Sequence, residues 1–212
     1  MSPLTALSAA AAAGVLAGLL LAAVPLWRLR RALRTARHQA HHDDTTGLPN
    51  RRAFIAAVDD AQRSGQAFGL VLLDLDKFKQ VNDVHGHDAG NELLTAVGHR
   101  LAGQPDPVRL AARLSGDEFA LLVRGDADAT YRAAQLAATA TAATPIALQA
   151  EVTVAVAASV GYTTNRPGVS TRDLLGEADT AMYRAKRGAG PVCRYEPVTA
   201  ATEPHGRCRD RR

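Results

Sequence analysis

The run RLSGDEFALL, Arg113 to Leu122, sets two adjacent carboxylates, Asp117 and Glu118, in a short turn between apolar stretches. Like charges side by side repel, and a cation, or a cation carried by a phosphate, relieves that repulsion. Further acid sits upstream, where the apolar run GLVLLDLD stops at Asp74 and Asp76. Taken singly, either aspartate reads as a turn cap or a solvated charge. Together with KFKQVND and GHDAGN, which follow directly, and with the carboxylate turn, they read as a site. Hard cations such as magnesium take oxygen ligands, usually one or two carboxylates plus the substrate's phosphates. Asp74 and Asp117 supply that number, so the chemistry indicated is cation-assisted work on a phosphate-bearing molecule.

Such a site needs elements that end at the same place. GLVLLDLD, continuously apolar, predicts a buried central strand, and VRLAARL and FALLV predict a hairpin around SGDE. EVTVAVAASVGY alternates valine with smaller residues and predicts one more strand. Asp44 to Pro49 reads as a loop entering a helix, in which Phe54, Ala57, Val58 and Ala61 recur at helical spacing until Gly65. The stretch after Asp76, with ND, HG and HD in close succession, reads as a loop. Leu93, Leu94, Val97 and Leu101 then share a helical face, and an alanine-rich helix is expected from about Asp128 to Ala143. The last helix opens at Ser170, with Asp173 completing a capping box, and turns Leu174, Leu175, Ala178, Ala181 and Met182 inward. This order predicts an α+β fold, a central, mostly antiparallel sheet flanked by helices, over residues 44–197.

The remainder of the 212 residues is of another character. No charged residue occurs from Leu4 to Trp27, a run long enough to span a bilayer core as a helix. Arg28, Arg30, Arg31, Arg34 and Arg37 follow it, which predicts a single-pass anchor (residues 1–27) with the bulk of the chain on the cytoplasmic side of the cell membrane. A cleaved signal peptide fits less well, because no Lys or Arg precedes the run. With so few residues before the span, no external sensory domain is expected. Residues 28–43 form a basic connector suited to anionic headgroups, whose His38, His41 and His42 read as a solvated face. Residues 198–212 read as a flexible basic tail. The net charge is only +4 and its basic residues cluster beside the anchor and in the tail, which argues against a nucleic-acid-binding face. Two cysteines, Cys193 and Cys208, make neither a zinc spacing nor a disulfide framework, which points to a reducing compartment.

The segments DDTTGLPNRRAF, LLDLDKFKQVNDVHGHDAGNELL, RLSGDEFALLV and LLGEADTAMYRAKRGAG, in this order and spacing, resemble the GGDEF family of diguanylate cyclases from roughly Asp43 to Tyr195. The resemblance implies a fold akin to the polymerase palm and the class III nucleotide cyclases. It also implies condensation of two GTP into cyclic di-GMP with release of two pyrophosphates, in a homodimer whose domains each hold one GTP. By the same resemblance Asp74, the Leu75 carbonyl and Asp117 would ligate two Mg2+ or Mn2+ ions at each GTP site. Glu118 would share the metal or activate the attacking 3′-hydroxyl. Phe78 and Lys79 would meet the phosphates, Lys186 would add a cation, and Asn82 and Asn91 would face the guanine. His87 reads as structural.

Four positions depart from the family pattern. The turn begins Ser115–Gly116 instead of Gly–Gly. Asn91 replaces an aspartate, and an amide cannot accept two guanine N–H bonds as a carboxylate does, so weaker guanine affinity is expected. Gly190 replaces an arginine, removing a phosphate contact unless Arg187 reaches in. The RxxD product-inhibition site is absent, with Asp106 and Arg109 standing there in reversed order. The alternative readings are a catalytically impaired domain that binds GTP or a partner without turnover, and an anchor that localises another protein through dimerisation.

Overall fold

The computed structural model describes residues 23–32, 39–148 and 152–197. Most of the expected Leu4–Trp27 span, His38, the connector's Arg34 and Arg37, and the tail lie outside them. Among the described residues no helix is long and apolar enough to cross a membrane. Residues 23–32 are helical, with Arg31 stacked over the Trp27 ring at 5.5 Å.

The domain is a five-stranded mixed sheet in the order β2-β3-β1-β6-β7. At its centre lies β1 (Phe68–Leu75), every residue of which is buried. It pairs antiparallel with β3 (Glu118–Arg124) and with β6 (Ala158–Thr164), and β2 (Val108–Ser115) closes the hairpin onto β3. Alternation along β1 splits the core into two layers. Val71, Leu73 and Leu75 face α2 (Phe78–Ala102) and α3 (Ala127–Ala142). Leu70 and Leu72 face α1 (Arg51–Arg63) and α4 (Thr171–Arg184).

The expected Ser170–Asp173 capping box is present at the start of α4, and Asn50 caps α1 by accepting from the Ala53 amide at 3.1 Å. Of the α4 residues expected inward, Leu174, Ala178, Ala181 and Met182 are buried and Leu175 is half-buried.

Three expectations are corrected. The stretch after β1 is helical from Phe78, and a kink at Gly86 (φ 86°, ψ 167°) joins its first turns to the amphipathic part of α2. EVTVAVAASVGY is two strands: β5 (Thr153–Val154) pairs with β4 (Ile146–Ala147) in a separate ribbon, and only β6 joins the main sheet. The sheet also gains β7 (Val192–Arg194), parallel to β6, which no period in so short a run announces.

Candidate active site

The site is built where β1 and β3 end together. Asp74 is registered opposite Glu118 in the antiparallel ladder, so their side chains share the α1/α4 face. The Leu75 amide donates to the Asp117 carbonyl at 3.3 Å, fixing the turn against the end of β1. Gly116 sits at the turn's corner with φ +46°, a left-handed backbone that glycine adopts without the Cβ clash. The expected meeting of two distant acidic segments is therefore present.

Lys186 enters from the other side. After α4 the chain makes a π-turn (Ala185–Ala189), and the Lys186 ammonium stands 2.7 Å from Asp74 Oδ1. That oxygen is shut off from solvent, and among the described residues it accepts no well-directed hydrogen bond. Burial is the largest influence on Asp74 and pushes its carboxyl above the usual carboxylate range; Lys186 opposes this, and the Asp117 and Asp76 charges reinforce it. Partial burial works against the Lys186 charge, but Asp74, with Asp117 and Asp76 beyond it, outweighs that and holds the ammonium above its ordinary value.

These residues fit a divalent cation. A buried carboxylate oxygen whose partner is the mobile head of Lys186, next to a second carboxylate and a strand-end carbonyl, belongs to a hard-oxygen donor set. Among the described residues no three His, Cys, Asp or Glu side chains cluster closely enough for an all-protein cage. A site of this kind is completed by phosphate and water, as magnesium sites usually are.

Anion-binding groups adjoin it. The helix α2 begins at Phe78 with no side chain capping it, because Lys77 takes a left-handed conformation (φ 60°) at the N-cap. Its first N–H groups are left for an anion, which the helix dipole also favours. The Phe78 ring packs against the α2/α3 core, so only its backbone is offered, whereas Lys79 is exposed. The kink at Gly86 folds these turns back until the Asn82 carboxamide lies on Gly90, where an added Cβ would come 1.9 Å from Asn82 Oδ1. Asn82 thus lies against Gly90, the residue before Asn91; Asn91 itself is exposed and lines an open groove with Asp44 and Thr45. Arg187 does not supply the missing cation: it stacks on Tyr183 at 5.8 Å and donates to its hydroxyl at 3.3 Å. His87 is exposed.

Two supports escape any reading of the sequence by segment. Arg113 donates from Nε and Nη2 to the Gly116 carbonyl at 2.9 and 2.7 Å, and from Nη1 to Asp43 Oδ1 at 2.8 Å. The same Asp43 oxygen accepts from the Thr46 amide and hydroxyl. The signature turn is thus clamped to the loop that precedes α1. Ser115, the departure from Gly–Gly, donates its hydroxyl to Glu118 Oε2 at 2.9 Å.

Comparison with known proteins agrees with this geometry. Residues 40–190 match the family model described as diguanylate cyclase, GGDEF domain. The diguanylate cyclase TpbB of Pseudomonas aeruginosa is 39% identical over 160 residues, covering 72% of this chain and 36% of that protein. An uncharacterised protein in the hutH 5′ region of Streptomyces griseus is 39% identical over 194 residues, covering 85% of this chain and 78% of that one. The coiled coil and GGDEF domain of DgcB from Caulobacter crescentus, solved with c-di-GMP, superposes with a TM-score of 0.75 at 28% identity, covering 85% of this chain and 98% of that one. The chain therefore spans little more than a third of TpbB but most of the Streptomyces protein. On the matched residues, the shared fold and the meeting of strand-end and hairpin carboxylates, the chain belongs to the GGDEF-domain diguanylate cyclase family.

Proposed function

We propose that the chain joins two GTP molecules into cyclic di-GMP, releasing two pyrophosphates, as a homodimer anchored to the cytoplasmic membrane by residues 1–27. The single observation that carries the enzymatic reading is the buried Asp74 carboxylate meeting the Asp117–Glu118 turn at one end of the sheet. Bound Mg2+ or Mn2+ would neutralise charge developing on the transferred phosphoryl group. Asp74, Asp117 and the Leu75 carbonyl would hold the ions. The open N–H groups at the start of α2, Lys79 and Lys186 would hold the triphosphate. Lys186, now 2.7 Å from Asp74, would turn to the phosphate, so that Asp74 would be free to hold the ions. Asn82 and Asn91 would face the guanine. Glu118, oriented by Ser115, would take the proton of the 3′-hydroxyl offered by the partner's nucleotide. The exposed Trp27 and its arginine neighbour on the 23–32 helix suit the interfacial end of an anchor.

The test is incubation of the purified chain with GTP and Mg2+, with and without a fused dimerisation module. Cyclic di-GMP should form, and Asp74→Asn and Asp117→Asn should each reduce the rate about a hundredfold or more. Tight GTP binding without product would select the impaired, nucleotide-binding reading, which Asn91 and Gly190 favour.

A further inference from the structure

On the α1/α4 face, beside Glu118 but away from the start of α2, the domain holds a half-enclosed cleft of about 360 Å³. Leu72, Leu175 and Met182 contribute apolar surface to it. Arg172, Gly176 and Asp179 line it from α4, spaced so that they share one helix face, and Arg51 closes it from the first turn of α1. Among the described residues Arg51, Arg172 and Asp179 make no ion pair or side-chain hydrogen bond. Two guanidinium groups and a carboxylate thus converge unpaired around a partly apolar hollow of a size suited to small ligands.

Gly176 adds an independent observation. It lies in the interior of α4, where glycine is less favourable than alanine. That cost has no packing reason, because a Cβ at Gly176 would meet no atom within 4 Å. The glycine keeps open a wall that nothing among the described residues fills.

We propose that this cleft binds one guanylate unit, a guanine base with its phosphate, distinct from the GTP held by Asn82, Asn91 and the acidic turn. The apolar surface takes a face of the base. The Asp179 carboxylate accepts from the guanine N1–H and 2-amino groups, donors that adenine does not present at those positions. Arg172 and Arg51 take the phosphate through forked N–H pairs. The choice of guanine rests on the cyclase reading, which supplies guanylate both as substrate and as product, whereas the converging charges do not depend on it. With Glu118 on its wall, an occupied cleft is felt directly at the catalytic turn.

The experiment is calorimetric titration of the full chain in EDTA with GMP, cyclic di-GMP and AMP, in an Asn82→Ala background that removes a base contact at the GTP site. GMP or cyclic di-GMP should bind, and AMP about tenfold or more weakly. Arg172→Ala should weaken guanylate binding about tenfold. Asp179→Asn should erase the preference over AMP, and Gly176→Trp, whose ring has open space to enter, should abolish binding. If Gly176→Trp does not fold, the Arg172 and Asp179 variants decide. Tighter binding of cyclic di-GMP than of GMP marks the product as the source, and the reverse marks the substrate. Absence of metal-free guanylate binding, or binding unchanged in Arg172→Ala and Asp179→Asn, overturns the proposal. Product formation from Mg2+ and GTP, assayed on the same preparations without the Asn82 change, separates the two readings. Product without cleft binding sinks only this inference; cleft binding without product sinks only the cyclase reading.

Discussion

At the scale of single residues, the catalytic turn is held by two contacts whose removal should have different signatures. Ser115 donates to Glu118 Oε2 at 2.9 Å, so the replacement of glycine adds an orienting hydrogen bond. A hydrogen bond to a charged group contributes about 1.5–3 kcal/mol when well formed and less when exposed, as here. Ser115→Ala should therefore lower kcat about tenfold or less and leave the KM for GTP unchanged, because no base or phosphate contact is lost. A change in KM alone would count against this role. The Asp43–Arg113 pair acts on stability. Burial alone would raise the Asp43 carboxyl, but hydrogen bonds from Arg113 and Thr46 outweigh it and hold the group below its ordinary value. The folded state thus keeps Asp43 charged at a pH where the unfolded chain takes up a proton. Its stabilisation is complete above the unfolded value and is lost as pH falls through the lower folded one. Asp43→Asn should destabilise the domain by about 1–3 kcal/mol near neutrality and flatten the loss of stability below about pH 4. Urea midpoints measured against pH would show it; a parallel, merely shifted curve would refute it.

At the scale of elements, legibility in the sequence followed the strength of the period. The fully buried β1, the hairpin around SGDE and the capped α4 were all readable, because each couples a clear pattern to a chemical stop signal. The first turns of α2 were not, since Gly86 and the polar ND, HG and HD pairs look like a loop; their partners, the core under Phe78 and Val81 and the Gly90 backbone under Asn82, are contacts that local pattern does not announce. The Asp43–Arg113 clamp was invisible for another reason: its members lie 70 residues apart, and nothing local to the strand that carries Arg113 points to Asp43. Placement of Lys186 depends on a close approach of this unreadable sort. The backbone of α4 lies directly on β6 at Gly161, where an added Cβ would come 2.0 Å from the Met182 amide nitrogen and 2.3 Å from the Ala178 carbonyl oxygen. Both obstacles are backbone atoms, so the helix as a whole must shift. Gly161→Ala should cost about 1–3 kcal/mol or more, as overpacked cores do. By moving the end of α4 it should also weaken GTP binding more than an equally destabilising change on β2, such as Ala112→Gly. Equal KM values in two variants of matched stability would show that α4 does not position Lys186.

At the scale of the whole molecule, the described residues present one acidic turn and one uncapped α2 terminus, which on the proposed function would hold one triphosphate beside one set of carboxylates. On that proposal, joining two nucleotides would need a second copy to bring the second 3′-hydroxyl, and a membrane anchor would raise the local concentration of copies without adding a contact. The reversed Asp106 and Arg109 bear on what limits the dimer afterwards. Asp106 is paired with Arg124 at 2.9 Å, and Arg109 is exposed. Added cyclic di-GMP should therefore change the activity of an Arg109→Ala variant by the same factor as that of the parent chain; inhibition of the parent that the variant loses would refute this. Dilution tests the dimer itself. Without a dimerisation module, specific activity per chain should rise in proportion to protein concentration while monomer predominates, and level off once dimer does. A covalently fused pair should show constant specific activity over the same range, because its effective concentration is set by the linker. Constant specific activity in the unfused chain, at concentrations where its measured mass is that of a monomer, would mean that one domain closes the ring alone, contrary to the geometry of a single acidic turn.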